Sequence, residues 1–262
     1  MSGYLALGVL SRMIDPRRSI IDERLSGIKR IIVVLSGKGG VGKSVIASTL
    51  ALLLARRGFK TGLLDLDFTS PTTHVVLNAI GLKPTEDRGI IPPEVHGVKY
   101  MSLIFYIGDE TTPLRGEELS NALLEMLAIT RWGSLDILLI DMPPGISDLT
   151  LDILKYVRGA NFLLITTPSK MAFETVRRLL SLLKGLKAPI VGVIENMKMD
   201  NSENIKLEVE ALGICFLGSI RFDTSLEDAL GSVEKLLETS FARDVEHVLR
   251  KIWSFNAPTL GN

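Results

Sequence analysis

The stretch IIVVLSGKGGVGKS, residues 31–44, is the most informative part of the chain about its architecture. An apolar run is followed by a glycine-rich loop at residues 37–44, and apolar residues at helical spacing come directly after it. The loop satisfies the pattern GxxxxGK[ST], and a place between strand and helix is the context in which that pattern marks a phosphate-binding loop. The alternative, a glycine-rich turn that matches by accident, leaves the flanking elements unexplained. The stretch therefore predicts a site for a nucleoside triphosphate.

Each residue type in this loop suits phosphate binding. Glycine lets the backbone turn tightly and aim its N–H groups at phosphate oxygens, where a Cβ would intrude. The N-terminus of the following helix adds the positive end of its dipole. Lys43 is expected to reach the β- and γ-phosphates, and the Ser44 hydroxyl to coordinate Mg²⁺. The predicted ATP-binding residues of the loop are Gly37, Gly39, Gly40, Val41, Gly42, Lys43 and Ser44.

Short apolar runs alternate with longer helical patterns along the rest of the chain. Strands are predicted at residues 30–36, 61–66, 98–103, 135–140, 161–166, 189–194 and 214–217. Between most of them apolar residues recur at spacings of three and four, which is typical of helices. The alternation predicts a doubly wound α/β fold, with a mostly parallel sheet and helices on both faces.

Nothing in the sequence divides the 262 residues, so we expect one domain over residues 1–262. Residues 1–28 are interpreted as an N-terminal extension and residues 233–255 as a C-terminal packing helix. Charges of both signs balance along that helix, whereas a helix lying on a membrane would favour Lys and Arg. Residues 78–98, with three prolines, are predicted to form an irregular surface excursion.

Aspartates follow two of the predicted strands. Asp65 and Asp67 end the run GLLDLD, and Asp141 ends DILLID. Strands of a doubly wound sheet share one carboxyl edge, so these side chains are expected beside the phosphate loop. Asp141 and Asp65 are expected to support Mg²⁺, and Asp67 to orient or deprotonate the attacking water. A helix N-cap or turn residue is the alternative for each. The PPG stretch at residues 143–145 suits a γ-phosphate sensor with a hinge.

Composition limits the partners. Lys and Arg together number 30, as do Asp and Glu, so no positive surplus exists for a strong non-specific grip on nucleic acid. No apolar stretch approaches the ~20 residues of a membrane span, and the N-terminal residues lack the order of a signal peptide. We therefore expect a cytoplasmic protein without a strong nucleic-acid or membrane signal. A single cysteine, Cys215, excludes a multi-cysteine metal site within one chain.

Further motifs resemble those of one family. The chain is similar to the Mrp/Nbp-type branch of the MinD/ParA superfamily, which are deviant Walker A ATPases linked to iron–sulfur cluster carriage. The resemblance covers about residues 24–249 and rests on the phosphate loop with its preceding strand, LRG at residues 114–116, WGSLDILLIDMPPGISD, TTPSK and VGVIENM. The long WG-to-PPG run and the ENM triplet are typical of this branch rather than of MinD or ParA generally.

The resemblance implies roles for single residues. Lys38 matches the lysine that reaches across a dimer interface to the partner's nucleotide; a solvated surface lysine is the alternative. Asp67 and Asp141 match the aspartates of the two switch segments, switch I and switch II. Asn196 matches the asparagine that reads adenine, whose edge needs a group that both donates and accepts. The implied protein is a slow Mg²⁺-dependent ATPase, a homodimer bridged by ATP, with an unidentified client such as an iron–sulfur apo-protein.

The chain also departs from the family pattern. Members that carry clusters have a C-x-x-C shortly after the ENM triplet, and the dimer shares four thiolates. Here that region reads KMDNSENIKLEVE, so we do not expect the usual bridging iron–sulfur cluster. Cys215 is interpreted as core packing. Switch I keeps only Pro71 of the family's glycine–proline pair, and Arg221 replaces a late proline.

Three functions stay open at this point. The first is an ATP-driven dimeric switch descended from cluster carriers. The second is a positioning or partitioning ATPase of MinD or ParA type that acts on a membrane or on DNA. The third is a scaffold that binds ATP and hardly hydrolyses it.

Overall fold

The computed structural model describes residues 15–68, 70–107 and 116–254. Residues 1–14 of the predicted extension and the first two residues of LRG lie outside these ranges. In chain order the elements are α1 (Arg17–Leu25), β1 (Ile31–Ser36), α2 (Lys43–Arg56), β2 (Thr61–Asp65), α3 (Thr73–Val76), β3 (Thr85–Glu86), β4 (Ile90–Ile91), β5 (Glu94–Val95), β6 (Val98–Ser102), α4 (Ile104–Ile107), α5 (Glu117–Ile129), β7 (Ile137–Asp141), α6 (Asp148–Tyr156), β8 (Ala160–Thr166), α7 (Lys170–Gly185), β9 (Ile190–Lys198), α8 (Asn204–Ala211), β10 (Phe216–Arg221), α9 (Leu226–Ala229), α10 (Val233–Glu238) and α11 (Ser240–Ser254).

One sheet organises the molecule, in the order β10-β9-β8-β1-β7-β2-β6-β5. All neighbouring strands are parallel except β5 and β6, which pair antiparallel. Each crossover between these parallel strands contains at least one helix, because parallel strands cannot be joined by a tight hairpin. The carboxyl ends of the parallel strands therefore meet at one edge, with β1 near the middle. The predicted doubly wound α/β fold is confirmed.

Each of the seven predicted strands is present, with ends that differ by up to four residues; β10, for example, ends at Arg221 rather than at residue 217. β10 begins at Phe216 rather than at residue 214, because the N–H of Ile214 still donates to Val209 O, at 3.2 Å, in the turn after α8. β9 continues to Lys198, past the predicted end at residue 194. Its additional residues include Glu195 and Asn196, which are buried although polar and so interrupt the apolar pattern.

Two apolar layers cover the sheet. One packs against α1, α5, α6, α7 and α8, and the other against α2, α3, α10 and α11. Every residue of β1, β2 and β7 is buried, as expected for strands covered on both faces. Within the predicted N-terminal extension, α1 packs on α5 through Ile21 and Leu25.

The excursion at residues 78–98 holds short strands as well as turns. β3 and β4 form a two-residue antiparallel pair, and β5 adds a reversed edge strand to the main sheet beside β6. Backbone with positive φ at Asn78, Arg88 and His96 bends the segment between them. The excursion therefore closes one end of the sheet.

The C-terminal segment at residues 233–255 contains two helices, α10 and α11, separated at Thr239. The backbone of Thr239 is extended, and its Oγ1 accepts the N–H of Ala242 at 3.0 Å, which starts a new helix. Asp223 accepts the Ser240 hydroxyl and the Phe241 N–H at the same helix start. The Ser225 hydroxyl also donates to Asp223, and its hydrogen bond, followed by that of Ser240, lowers the pKa of Asp223.

The apolar face of α11 lies against β10 and α2. Its buried residues are Phe241, Val245, Val248, Leu249 and Ile252. Across the described ranges, no helix combines the length and the apolar character that crossing a membrane would require.

Candidate functional site

The phosphate loop lies at the carboxyl end of β1 and leads directly into α2. Gly40 and Gly42 have φ angles of 75° and 80°, a left-handed backbone that favours glycine. Gly37 passes close to α7, where an added Cβ would lie 2.1 Å from Thr175 Oγ1 and 2.8 Å from the Val176 nitrogen. The tight turn and the close approach to α7 together require glycine in this loop.

A cavity of about 380 Å³ opens over the loop. It is lined by Ser36, residues 38–45, Asp67, Ser70, Thr72 and Pro144. The backbone N–H of Gly145 donates to Ser36 O at 2.8 Å, so the PPG stretch is attached to the start of the loop. The phosphate loop, switch I and switch II therefore enclose one space.

Three side chains of the site are joined by short hydrogen bonds. The Lys43 Nζ lies 2.5 Å from Asp141 Oδ1, and the Ser44 hydroxyl donates to Asp141 Oδ2 at 2.6 Å. Lys43 is 5% exposed and Asp141 is fully buried, so this ion pair is shielded from water. Burial raises the pKa of Asp141, and the Lys43 ammonium counters that rise. The predicted phosphate lysine, metal hydroxyl and metal carboxylate thus form one cluster.

A second buried carboxylate stands beside the first. Asp65 ends β2 at the position that pairs in register with Asp141 of β7. Burial, followed by the nearby Asp141 charge, raises the pKa of Asp65 to about 7. Hydrogen bonds from Thr73 and from the Asp67 backbone oppose the rise. Two buried carboxyl groups therefore lie on neighbouring strands, and only Asp141 forms an ion pair with the Lys43 ammonium group among the described residues.

Asp67 lies at the wall of the cavity. It is 8% exposed, and its Oδ1 accepts the Ser70 N–H at 3.2 Å. Its own N–H donates to Asp65 Oδ1 at 3.0 Å. The carboxylate is thus held by the segment that follows β2 and faces the space above the phosphate loop.

Lys38 is exposed on the outer side of the loop. Within the described part of the chain its ammonium group has no ion-pair partner. Lys38 lines the cavity over the loop and also a second cavity of about 380 Å³. The other walls of the second cavity are residues 39–40, residues 167–169, Met197, Met199 and Asp200. The exposed position fits a lysine that reaches across a dimer interface and fits a solvated surface lysine equally well.

Asn196 lies beneath the loop. Its Nδ2 donates to Val41 O at 2.8 Å, and an added Cβ on Gly42 would come within 2.3 Å of the same atom. Asn196 is 3% exposed, so its amide braces the loop from the sheet side. One N–H of the amide is used in this way, and adenine contact by Asn196 stays a prediction.

Cys215 lies far from these residues along the strand direction. It immediately precedes β10, at the amino edge of the sheet, whereas the phosphate loop lies at the carboxyl edge. The side chain is half-buried against the apolar layer of α2 and α11, and burial raises the pKa of its thiol. Cys215 thus packs against the core, in agreement with the prediction, although its side chain is only partly buried.

Three residues beside the site were not predicted from sequence. Thr73 and Tyr100 are hydrogen-bonded to each other and, through Thr73, to Asp65. Thr175 of α7 packs against Gly37. Each comes from a separate element, and no spacing in the sequence connects them with the phosphate loop.

Comparison with known proteins identifies relatives over most of the chain. The family model described as NUBPL iron-transfer P-loop NTPase, of the ParA type, matches residues 27–254. A protein of Aquifex aeolicus named iron-sulfur cluster carrier protein is 40% identical over 179 residues, which are 67% of this chain and 49% of that protein. A protein of Dictyostelium discoideum named cytosolic Fe-S cluster assembly factor NUBP2 homolog is 35% identical over 224 residues, 76% of this chain and 83% of that protein. The chain spans about half of the Aquifex relative.

Solved structures agree with this result. The nucleotide-binding protein of Archaeoglobus fulgidus, solved in complex with ADP, is 28% identical, with a TM-score of 0.71 over 84% of this chain and 93% of that one. The cell division ATPase MinD of Pyrococcus furiosus is 20% identical, with a TM-score of 0.65 over 87% of this chain and 100% of that one. The likeness to MinD is one of fold alone.

Proposed function

Because the chain belongs to the family of NUBPL iron-transfer P-loop NTPases, we propose that it is an ATP-hydrolysing switch that works as a homodimer in the assembly of iron–sulfur proteins. The observation that carries the proposal is the buried cluster of Lys43, Ser44 and Asp141 beneath an open glycine loop. These are the groups that a Mg²⁺–triphosphate complex needs, held at the edge of the sheet where such ligands bind.

The loop suits a triphosphate. An added Cβ on Gly40 would meet nothing within 4 Å, so the space above the loop is open to a ligand. Lys43 would exchange Asp141 for phosphate oxygens, since the ammonium group gains stronger partners there. The N-terminus of α2 and the loop N–H groups would hold the remaining phosphate charge.

The same cluster fits Mg²⁺. Ser44 Oγ and Asp141 Oδ2 are 2.6 Å apart, and both are oxygen donors of the kind that Mg²⁺ prefers. Among the described residues, His, Cys, Asp and Glu form no group of three or more that could hold a metal. Mg²⁺ characteristically takes few protein ligands and completes its shell with phosphate and water. When bound, the ion would neutralise charge on the phosphates.

The surrounding residues would complete the reaction. Asp67, at the cavity wall, would orient or deprotonate the attacking water. Lys38 would extend to the nucleotide of the second copy, because its ammonium group is exposed and its own loop already contributes Lys43. Asn196 would contact adenine with the part of its amide that does not bind Val41. Turnover would be slow, as befits a switch rather than a metabolic enzyme.

The proposed role does not include carrying an iron–sulfur cluster on the usual cysteine ligands. An iron–sulfur cluster is normally held by four cysteines, and two copies of this chain supply two, both at the edge of the sheet opposite the phosphate loop. We therefore propose an ATP-driven partner of an iron–sulfur apo-protein, without a bridging cluster of the usual kind. A cytoplasmic location is supported by the Dictyostelium relative, which is named a cytosolic factor. Anaerobic reconstitution with iron and sulfide tests this directly, because a stable cluster absorbs visible light.

The central test is nucleotide-dependent association. Titration calorimetry with ATP and millimolar magnesium should show binding, and light scattering should show a dimer that forms only with ATP. Lys38→Ala should abolish the dimer and leave ATP binding intact, whereas Lys60→Ala, an exposed lysine near the amino edge of the sheet, should change neither. A chain that takes up no ATP would refute the proposal. Asp67→Asn separates the switch from a non-hydrolysing scaffold, since only the former loses single-turnover hydrolysis.

A further inference from the structure

Asp65 accepts hydrogen bonds from Asp67 and Thr73, which delimit one part of switch I. Its Oδ1 accepts the N–H of Asp67 at 3.0 Å, and its Oδ2 accepts the hydroxyl of Thr73 at 2.5 Å. Asp65 is 1% exposed and Thr73 is fully buried. One shielded carboxylate therefore fixes the segment near its start and at its end, where α3 begins.

Thr73 is connected in turn to β6. Its Oγ1 lies 2.9 Å from the hydroxyl of Tyr100, which is fully buried. A threonine hydroxyl has one hydrogen, and that of Thr73 is donated to Asp65 Oδ2, so the Tyr100 hydroxyl donates to Thr73. The Tyr100 ring packs edge-on against Phe105, with centroids 5.3 Å apart. The result is a directed chain of hydrogen bonds from a fixed aromatic ring to Asp65.

Asp67 lies inside the segment that this chain holds. Its carboxylate faces the cavity over the phosphate loop, and its N–H is bound to Asp65. A displacement of about 1 Å at a reacting group can cost about 100-fold in rate. Affinity for ATP, by contrast, depends mainly on the phosphate loop, which Thr73 and Tyr100 do not contribute to.

We propose that Thr73 and Tyr100 are positioning residues for ATP hydrolysis, which hold Asp65 and through it keep Asp67 in place. This inference rests on the proposed function, because it concerns the rate of that reaction. It assigns Thr73 the larger effect, since its hydroxyl contacts Asp65 directly, and Tyr100 the smaller one, since it acts through Thr73.

The test is steady-state phosphate release over a range of Mg-ATP concentrations. Thr73→Val, which replaces the hydroxyl by a methyl group of similar size, should lower kcat about tenfold and leave KM within about twofold. Thr73→Ser keeps the hydroxyl and should recover kcat to within about twofold of the unmodified chain. Tyr100→Phe keeps the ring and should lower kcat about threefold.

Thr130→Val is the matched control. Thr130 is also fully buried, and its hydroxyl donates to Met126 O at 2.5 Å, at the end of α5. It should leave kcat unchanged although it removes a comparable hydrogen bond. Should Thr73→Val fail to fold, Tyr100→Phe decides alone, and an unchanged kcat in that variant would overturn the inference.

Three results would overturn the inference: an unchanged kcat in both Thr73→Val and Tyr100→Phe, a loss in Thr73→Ser as large as in Thr73→Val, or an equal loss in Thr130→Val. In each case the unmodified chain still hydrolyses ATP, and the proposed function stands. An unmodified chain without Mg²⁺-dependent hydrolysis would instead refute the proposed function and this inference together.

Discussion

Replacing Asp65 by Asn should change how the folding stability depends on pH. The carboxyl group is fully buried beside Asp141, and its pKa is raised from 3.8 to about 7. A group with a raised pKa in the folded state contributes stability below its ordinary pKa and loses it as the pH rises through the folded value. The amide introduced by Asp65→Asn does not titrate, so that loss would disappear in the variant.

The magnitude follows from the two pKa values. The gap between 3.8 and about 7 corresponds to about 4 kcal/mol. Between about pH 5.5 and pH 8.5 the unfolded carboxyl group is already ionised, and only the folded one still loses its proton. Over that window the free energy of unfolding of the unmodified chain should fall by about 2 kcal/mol relative to Asp65→Asn. The amide oxygen of the variant can still accept the N–H of Asp67.

Urea unfolding at several pH values, without nucleotide or Mg²⁺, measures this difference. Asp136→Asn is the control, because a hydrogen bond from Lys29 holds the pKa of Asp136 below its ordinary value, so it is ionised in both states throughout. The difference in free energy of unfolding between Asp136→Asn and the unmodified chain should stay constant between about pH 5.5 and pH 8.5. If the difference between Asp65→Asn and the unmodified chain were also independent of pH, Asp65 would be ionised in the folded chain. The argument that burial raises its pKa would then be refuted.

Three further perturbations test other parts of the structure. Lys43→Met should destabilise the chain by about 3–5 kcal/mol in urea unfolding, because Asp141 is left buried without its counter-charge; adding Asp141→Asn should recover part of that loss, and strictly additive losses would contradict the pairing. Gly42→Ala should abolish ATP binding in calorimetry. Its φ of 80° disfavours any residue with a Cβ, and a Cβ on Gly42 would lie only 2.3 Å from Asn196 Nδ2. Phe241→Ala should cost about 3–5 kcal/mol in thermal unfolding, whereas half-exposed Phe222→Ala should stay within about 0.5 kcal/mol.

The main architecture could be predicted because its signals are local. A glycine loop between strand and helix fixed the position of the phosphate site, and apolar runs located all seven long strands. The rule that parallel strands share a carboxyl edge was sufficient to bring Asp65, Asp67 and Asp141 towards that site. The structure shows Asp65 and Asp141 in register on adjacent strands.

The remaining features depend on contacts that leave no pattern in the sequence. Thr73 meets Asp65 across a turn, and Tyr100 reaches Thr73 from another strand. Glu195 and Asn196 looked like the end of a strand because they are polar, although tertiary contacts bury them within β9. Periodicity reports which residues face the core but not which polar groups the core admits.

The two edge strands of the main sheet, β5 and β10, affect whether copies of this chain can associate by pairing strands. At one end β5 is reversed and only two residues long. At the other, β10 slips in register against β9 near Gly218. Short or bulged edge strands are poor templates for a further strand, and this disfavours intermolecular β-sheet extension. Concentrated protein should therefore resist fibril formation, and association between copies should not proceed by lengthening the sheet.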